Sequence, residues 1–277
     1  MIGFVVPIKS KYVSRDWVLD NHLLERTMRS ICAQTDQNFR LFIVYNEMPE
    51  VAFTHPHIVY QHFPFKMISS DEMDDFDSYI SKHYTREYAE KMMDKGKKIL
   101  YGCKAAMIAG CDYMMAIDSD DLISKHIAAY VNKHAQRDKA GWRITKGLIY
   151  EENSFYLQKK YDIQNLNGST HIIRKDLIDI PDFASRTFWD YNLFESHGYT
   201  AGRIWDFHKE RLEDYPFFGM IYIIHSNNYS PIRKTMRKIS FKNFVKKFLL
   251  GRILTRNIRV EFGLYKMFQQ PIPVGKT

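Results

Sequence analysis

Tyr113-Met114-Met115-Ala116-Ile117-Asp118-Ser119-Asp120-Asp121 is the stretch on which the reading of this 277-residue chain turns. Five uncharged residues make a run that is apolar on both faces, as in a strand buried within a sheet. Three acids in four residues follow at once. A buried strand that delivers carboxylates as it leaves a sheet supplies hard oxygen ligands, the donors that a divalent cation and its accompanying phosphates require. Asp and Ser also end strands as turn formers, so the tetrad alone supports a cation site or a plain turn equally.

Working outward, Ile2 to Ile8 is a short apolar run that ends in the polar loop Lys9-Ser10-Lys11, and it reads as a first buried strand. The spacing of Leu23, Leu24, Thr27, Met28 and Ile31 predicts a helix with one apolar face. Phe39 to Tyr45 reads as a second strand leaving at Asn46-Glu47-Met48-Pro49, and His57 to Gln61 as a shorter third. This βαβ opening favours a parallel sheet whose carboxyl-end loops hold the ligand. Ser70 to Asp77 is acidic and passes into a charged, helix-like region ending near Gly96, read as an insertion or solvated face. Lys97 to Ala109 predicts a better helix that stops at Gly110, and Ile123 to His134 begins another beyond the tetrad.

After Arg137 the pattern changes. Trp142 to Tyr150, Ser154 to Gln158 and His171 to Arg174 read as short strands. Phe188 to His197 has helical spacing and a stop at Gly198, while Phe217 to Ile224 is strongly strand-like and exits at His225-Ser226-Asn227. The expectation is an α/β fold: one sheet with a parallel front half and a mixed back half, flanked by helices.

Hydrophobic content of 45% and charged content of 26% fit a globular protein. No signal-peptide pattern and no long apolar span is present, so a cytoplasmic location is the expectation. Cys32, Cys103 and Cys111 form no CxxC pair and read as core residues. The net charge of +8 is concentrated: ten Lys/Arg stand against the single acid Glu261 between Arg233 and Phe262, a local +9 that leaves the rest near −1. Phe241, Phe244, Val245, Phe248 and Leu249 repeat there at helical spacing beside Lys242, Lys246 and Lys247, a stripe able to pack on the core or lie on an anionic membrane. Nucleic acid is disfavoured, because no recognition motif or aromatic-basic platform accompanies the charge.

Lys9, Asn46, Glu47 and the tetrad leave the same inferred sheet edge and can meet around one ligand. Asp120 is the expected direct metal ligand, Asp118 a ribose contact or a partner of the cation's waters, and Asp121 a structural or capping acid. No GxxxxGK[ST] or GxGxxG occurs, so metal and cationic side chains must bind any diphosphate. His225 emerges from a buried strand and can bind metal or phosphate, or be satisfied by Ser226 or Asn227. A general base on the acceptor side has three candidates: Asp190 at a helix start, and Glu213 and Asp214 in a loop before the last strand.

The chain resembles GT-A glycosyltransferases, and within them the rhamnosyltransferase-like branch. The resemblance rests on Phe4-Val5-Val6-Pro7, Ser30 through Phe39, Asn46-Glu47-Met48-Pro49, Ala116 through Asp121, and Gly147 through Tyr150 leading to Asn167-Gly168-Ser169-Thr170-His171. It implies a GT-A-like catalytic domain over residues 1–231, with a nucleotide-sugar half to about 125 and an acceptor half from about 126, followed by a basic C-terminal helical extension over 232–277. It further implies that Asp118 and Asp120 help hold Mn2+ or Mg2+ on the donor diphosphate, and that Pro7, Lys9, Asn46, Glu47 and Lys104 lie on the donor. The family's acid pair after the second strand is Asn46-Glu47 here, and its acceptor-side Glu-Asp pair is Trp189-Asp190. The implied reaction is metal-dependent transfer from a nucleotide diphosphate sugar to a glycan or lipid-linked hydroxyl, with inversion; the basic tail adds the inner face of the membrane as an alternative to a purely cytoplasmic position. A nucleotidyltransferase, or a non-catalytic nucleic-acid or glycan-binding relative, is the alternative.

Overall fold

In the computed structural model, which describes residues 1–76, 80–135, 138–194, 197–225 and 251–265, strand β1 (Ile2–Pro7) lies at the centre of the parallel half of the sheet. It pairs in parallel with β2 (Phe39–Tyr45) on one side and with β4 (Tyr113–Ala116) on the other, while β3 (Ile58–His62) extends the edge beyond β2. All six β1 residues are buried because both faces are covered. Phe4 and Val6 point into a layer with Leu24, Met28 and Ile31 of α1 (Trp17–Cys32). Val5 points the other way, onto Leu100 and Cys103 of the long helix described next.

After a single helical turn, α2 (Ser81–His83), that long helix is α3 (Arg86–Ile108). It is one continuous element where the sequence suggests a charged region and a separate helix joined near Gly96. Gly96 does not break it. A Cβ there would come within 2.1 Å of the Tyr191 carbonyl oxygen, so the glycine permits a close approach of backbone instead. Gly102 does the same for the sheet, where a Cβ would lie 2.4 Å from Val5 and 2.8 Å from Val44 side-chain atoms.

The back half is mixed, as expected. β6 (Gly141–Glu151) runs antiparallel to β7 (Tyr156–Lys160) and β8 (His171–Arg174), and β8 is antiparallel to β4. β9 (Glu213–Ile224) lies parallel to β6 with register shifts near Lys146. Leu122–Ile123, expected to enter a helix, forms the two-residue strand β5 against Ile221 and Met220 of β9, and α4 (Ile127–His134) starts only afterwards. This pairing carries the acidic turn across to the end of β9.

Two further expectations are corrected. Phe188 to His197 is not one helix: a 3-10 turn at Phe188–Tyr191 is followed by α5 (Thr200–His208). The Asp75 carboxylate accepts from the Phe188 and Trp189 N–H groups at 2.9 and 3.3 Å, and the Tyr191 carbonyl sits on Gly96, which fixes the tighter turn. Glu213 and Asp214 are not in a loop but open β9, opposite Trp142 and Arg143.

Residues 251–265 return to the body. β10 (Gly251–Ile253) pairs with β7, and α6 (Arg256–Phe262) buries Ile258 and Phe262 with Leu122, Leu148 and Ile223. Arg26, fully buried, forks onto Glu152 at 3.2 and 2.9 Å and donates to the Tyr265 carbonyl at 3.3 Å, tying α1, the β6–β7 hairpin and this segment together. The stripe Phe241 to Leu249 lies outside the described residues. No described helix is long and apolar enough to cross a membrane. All three cysteines are buried and free.

Candidate functional site

The chain leaves β4 through a turn closed by Asp121 N–H donating to the Asp118 carbonyl at 3.0 Å. Asp118, Asp120 and Asp121 each offer an oxygen within 4.8 Å of the others. Their surroundings differ, and the differences assign separate roles.

Asp121 is completely buried. One of its oxygens accepts from the Ser169 hydroxyl and the Asn167 amide, both at 2.7 Å, while Oδ1 has no hydrogen-bond donor among the described residues. Burial, then repulsion from Asp120 and Asp118, pushes its carboxyl well above the ordinary range against those two hydrogen bonds. Ser169 also accepts from Asp118 N–H at 2.8 Å, so one hydroxyl braces the turn at both ends.

Asp120 sits 2.8 Å from His225 Nε2. Burial alone would raise its carboxyl, but the hydrogen bond and charge of His225, with Lys9 and Lys95, outweigh it and hold the group below the ordinary range. Asp118 pairs with Lys95 Nζ at 2.7 Å and is partly open to solvent. Three converging carboxylates, one with a buried oxygen lacking a donor, suit a hard divalent cation. The residues present therefore fit Mn2+ or Mg2+, with Asp120 and Asp118 as ligands and Asp121 behind them.

The neighbouring carboxyl-end loops are held from beneath. Lys98, almost fully buried, pairs with Asp94 at 2.7 Å and donates to the Ile8 carbonyl at 3.0 Å, fixing the backbone just before Lys9. Lys9 itself pairs with Asp20 at 2.9 Å. Glu47 accepts from the Ser10 hydroxyl at 3.1 Å and from Lys11 N–H at 2.8 Å, which joins the loop after β2 to the loop after β1. The Asn46 amide donates to the Phe63 and Phe65 carbonyls, both at 3.0 Å. Pro7 closes β1 opposite Val44.

The structure thus brings Lys9, Asp118, Asp120 and His225 together. Lys104, Glu213 and Asp214 lie away from this cluster. Lys104 is exposed near the Phe183 ring, roughly 13 Å along α3 from Lys95, which takes the cluster contact instead. Glu213 and Asp214 pair with Lys139 and Arg143 at the start of β9, roughly 35 Å of strand away from its His225 end. Asp190 lies on the 3-10 turn packed against α3, where its carboxylate accepts from the Ser185 hydroxyl at 2.5 Å. Lys97, buried and with its ammonium pushed down by burial, feels the charge of Asp94, Arg186 and Asp190.

Sequence reasoning missed Lys95, Asn167 and Ser169. Lys95 was hidden in a stretch read as a solvated face. Asn167-Gly168-Ser169-Thr170 carried the resemblance without a role, although side-chain acceptors in a tight turn were a signal that it braces something.

No family model matches the chain, and no curated protein does. Among solved structures, residues 1–349 of S. aureus TarS overlap at 13% identity and a TM-score of 0.45, across 80% of this chain and 60% of that one. A longer TarS structure gives 11% and 0.46 across 89% and 43%, and TarS 1–349 in complex with UDP-GlcNAc gives 12% and 0.43 across 94% and 66%. The chain thus spans less than two thirds of each of these structures. Overlap at this level establishes neither kinship nor substrate.

Proposed function

We propose that the chain is a glycosyltransferase that moves a sugar from a nucleotide diphosphate sugar to the hydroxyl of a glycan or lipid-linked acceptor. The observation that carries this reading is the convergence of Asp118, Asp120 and Asp121 at the carboxyl end of a buried parallel strand, ringed by Lys9, Lys95 and His225. That set combines cation ligands with ammonium groups for phosphate, without any glycine-rich phosphate loop. The resemblance in segment order to rhamnosyltransferase-like GT-A sequences supports the same class and leaves the sugar open.

In this reading Asp120 and Asp118 would hold Mn2+ or Mg2+, which would supply charge neutralisation for a departing diphosphate. His225 orients the Asp120 carboxylate, and Asp121, held by Ser169 and Asn167, keeps the turn from collapsing. Lys9, placed by the Lys98 contact to Ile8, and Lys95 face the phosphate side. Asp190 takes the proton of the acceptor hydroxyl as its oxygen bonds to the anomeric carbon and the bond to the diphosphate breaks. With Asp190 as base and no second carboxylate beneath the donor carbon, direct displacement would invert the anomeric centre. The C-terminal basic segment serves a peripheral position at the membrane.

The test is nucleotide-sugar turnover with and without Mn2+ or Mg2+ in the parent and in Asp120→Ala. The expected outcome is metal-dependent release of nucleoside diphosphate that falls on the order of a thousandfold in the variant. Equal metal-independent turnover in both would sink the reading, and release of pyrophosphate would replace it with nucleotidyl transfer.

A further inference from the structure

The β6–β7 hairpin carries an apolar tip that the site above does not use. Phe155 is 70% exposed, Tyr156 38%, and Ile253 of β10, which pairs directly with Tyr156, 62%. Leu254 N–H donates to the Phe155 carbonyl at 2.9 Å, so these side chains come from two strands locked side by side. The hairpin turn is built to stay put: Asn153 takes a positive φ of 67°, and Ser154 N–H closes onto the Glu151 carbonyl. Single exposed apolar residues are ordinary, whereas a clustered rigid set is not.

Charge around the tip names its partner. Exposed Arg252 precedes Ile253 in β10 and exposed Arg256 opens α6 just after it, and of the two acids in the turn Glu152 is paired with buried Arg26, leaving Glu151. The chain that leads into β10 is the most basic in the protein: Arg233 to Lys247 carries seven Lys/Arg and no acid. Aromatic and aliphatic side chains with arginines next to them along the chain match the interface of an anionic bilayer, where rings sit at headgroup depth and each nearby cation adds attraction. Position agrees with this. Glu151 pairs with Ile224, and Glu152 N–H donates to the Ile224 carbonyl at 3.0 Å, so the tip projects from the same end of the sheet as His225 and the acid cluster.

We propose that Phe155, Tyr156 and Ile253 form a docking tip for an anionic lipid bilayer surface, which sets the donor pocket facing that surface. The sense of this orientation rests on the glycosyltransferase reading, since a lipid-linked acceptor would then arrive from the bilayer; the lipid contact itself does not.

The test floats the full-length protein with phosphatidylcholine vesicles and with vesicles containing about a third phosphatidylglycerol. The parent is expected to float with the anionic vesicles alone and to detach as salt is raised. The double variant Phe155→Ser/Ile253→Ser should lose roughly tenfold in partitioning at unchanged melting temperature, and Phe155→Trp should retain binding. No flotation of the parent, or equal flotation of the double variant, would overturn the tip. So would concentration-dependent dimerisation that the double variant abolishes without vesicle binding, because a second copy would then be the occupant. Nucleoside diphosphate release measured in parallel separates the two ideas: flotation as described without turnover removes only the catalytic reading, and turnover without flotation removes only the tip.

Discussion

The acid cluster and the turn that carries Asp190 are built differently. In the cluster, groups from five separate segments (Lys9, Lys95, Asp118 to Asp121, Asn167 with Ser169, and His225) close on one another through hydrogen bonds and charge. Asp190 stands on a short 3-10 turn whose position depends on Asp75 and on the absence of a side chain at Gly96. A buried, mutually braced cluster is pre-organised for charge that is always the same, such as a diphosphate. The Asp190 turn has its own supports, from Asp75, from the Tyr191 hydroxyl on the Asp182 and Ser185 carbonyls and from the close approach to Gly96, so it can be altered without disturbing the cluster.

The sharpest way to break that contrast is Asp190→Asn. If this carboxylate is the base, turnover should fall by at least roughly a hundredfold. The affinity for nucleoside diphosphate with manganese, measured by calorimetry, should stay where it was. A parallel loss of nucleotide affinity would mean that the two sides are not separate, and unchanged turnover would remove Asp190 from the reaction.

Gly96→Ala probes the same contrast through the backbone. The new methyl would meet the Tyr191 carbonyl oxygen at 2.1 Å, and neither partner is a flexible side-chain end, so the turn bearing Asp190 must move. The expected cost is about 1 to 3 kcal/mol of stability, read by chemical denaturation. Gly102→Ala is its control, since it strains the helix against Val5 and Val44 of the sheet instead. Turnover should fall more in Gly96→Ala than in Gly102→Ala at matched stability loss. The reverse order would place the sensitive geometry under the donor.

Which parts of this were legible beforehand follows from the range of the interactions. β1, β2 and β4 were readable because burial on both faces leaves an unbroken apolar run in the sequence. The tetrad was readable because carboxylates directly after such a run are local information. Lys95 was not, because its partner Asp118 is distant in sequence and the residues around it are charged like any solvated helix. The straightness of α3 through Gly96 was equally hidden: the reason for that glycine is a carbonyl at Tyr191, and sequence spacing holds no trace of it. β5 was missed because two residues give no periodicity, yet that pairing is what delivers Asp120 to His225.

The smallest expected effect comes from the acids that sequence offered as rival bases. Glu213 and Asp214 open β9, are largely exposed, and pair with Lys139 and Arg143 on the neighbouring surface. Exposed ion pairs contribute little, and these stand at the far end of the strand from His225. Glu213→Gln combined with Asp214→Asn should therefore leave turnover within about twofold of the parent, and the dependence on manganese unchanged. A loss comparable with that of Asp190→Asn would show that the start of β9 takes part in the reaction, and the division between the braced cluster and the Asp190 turn would have to be given up.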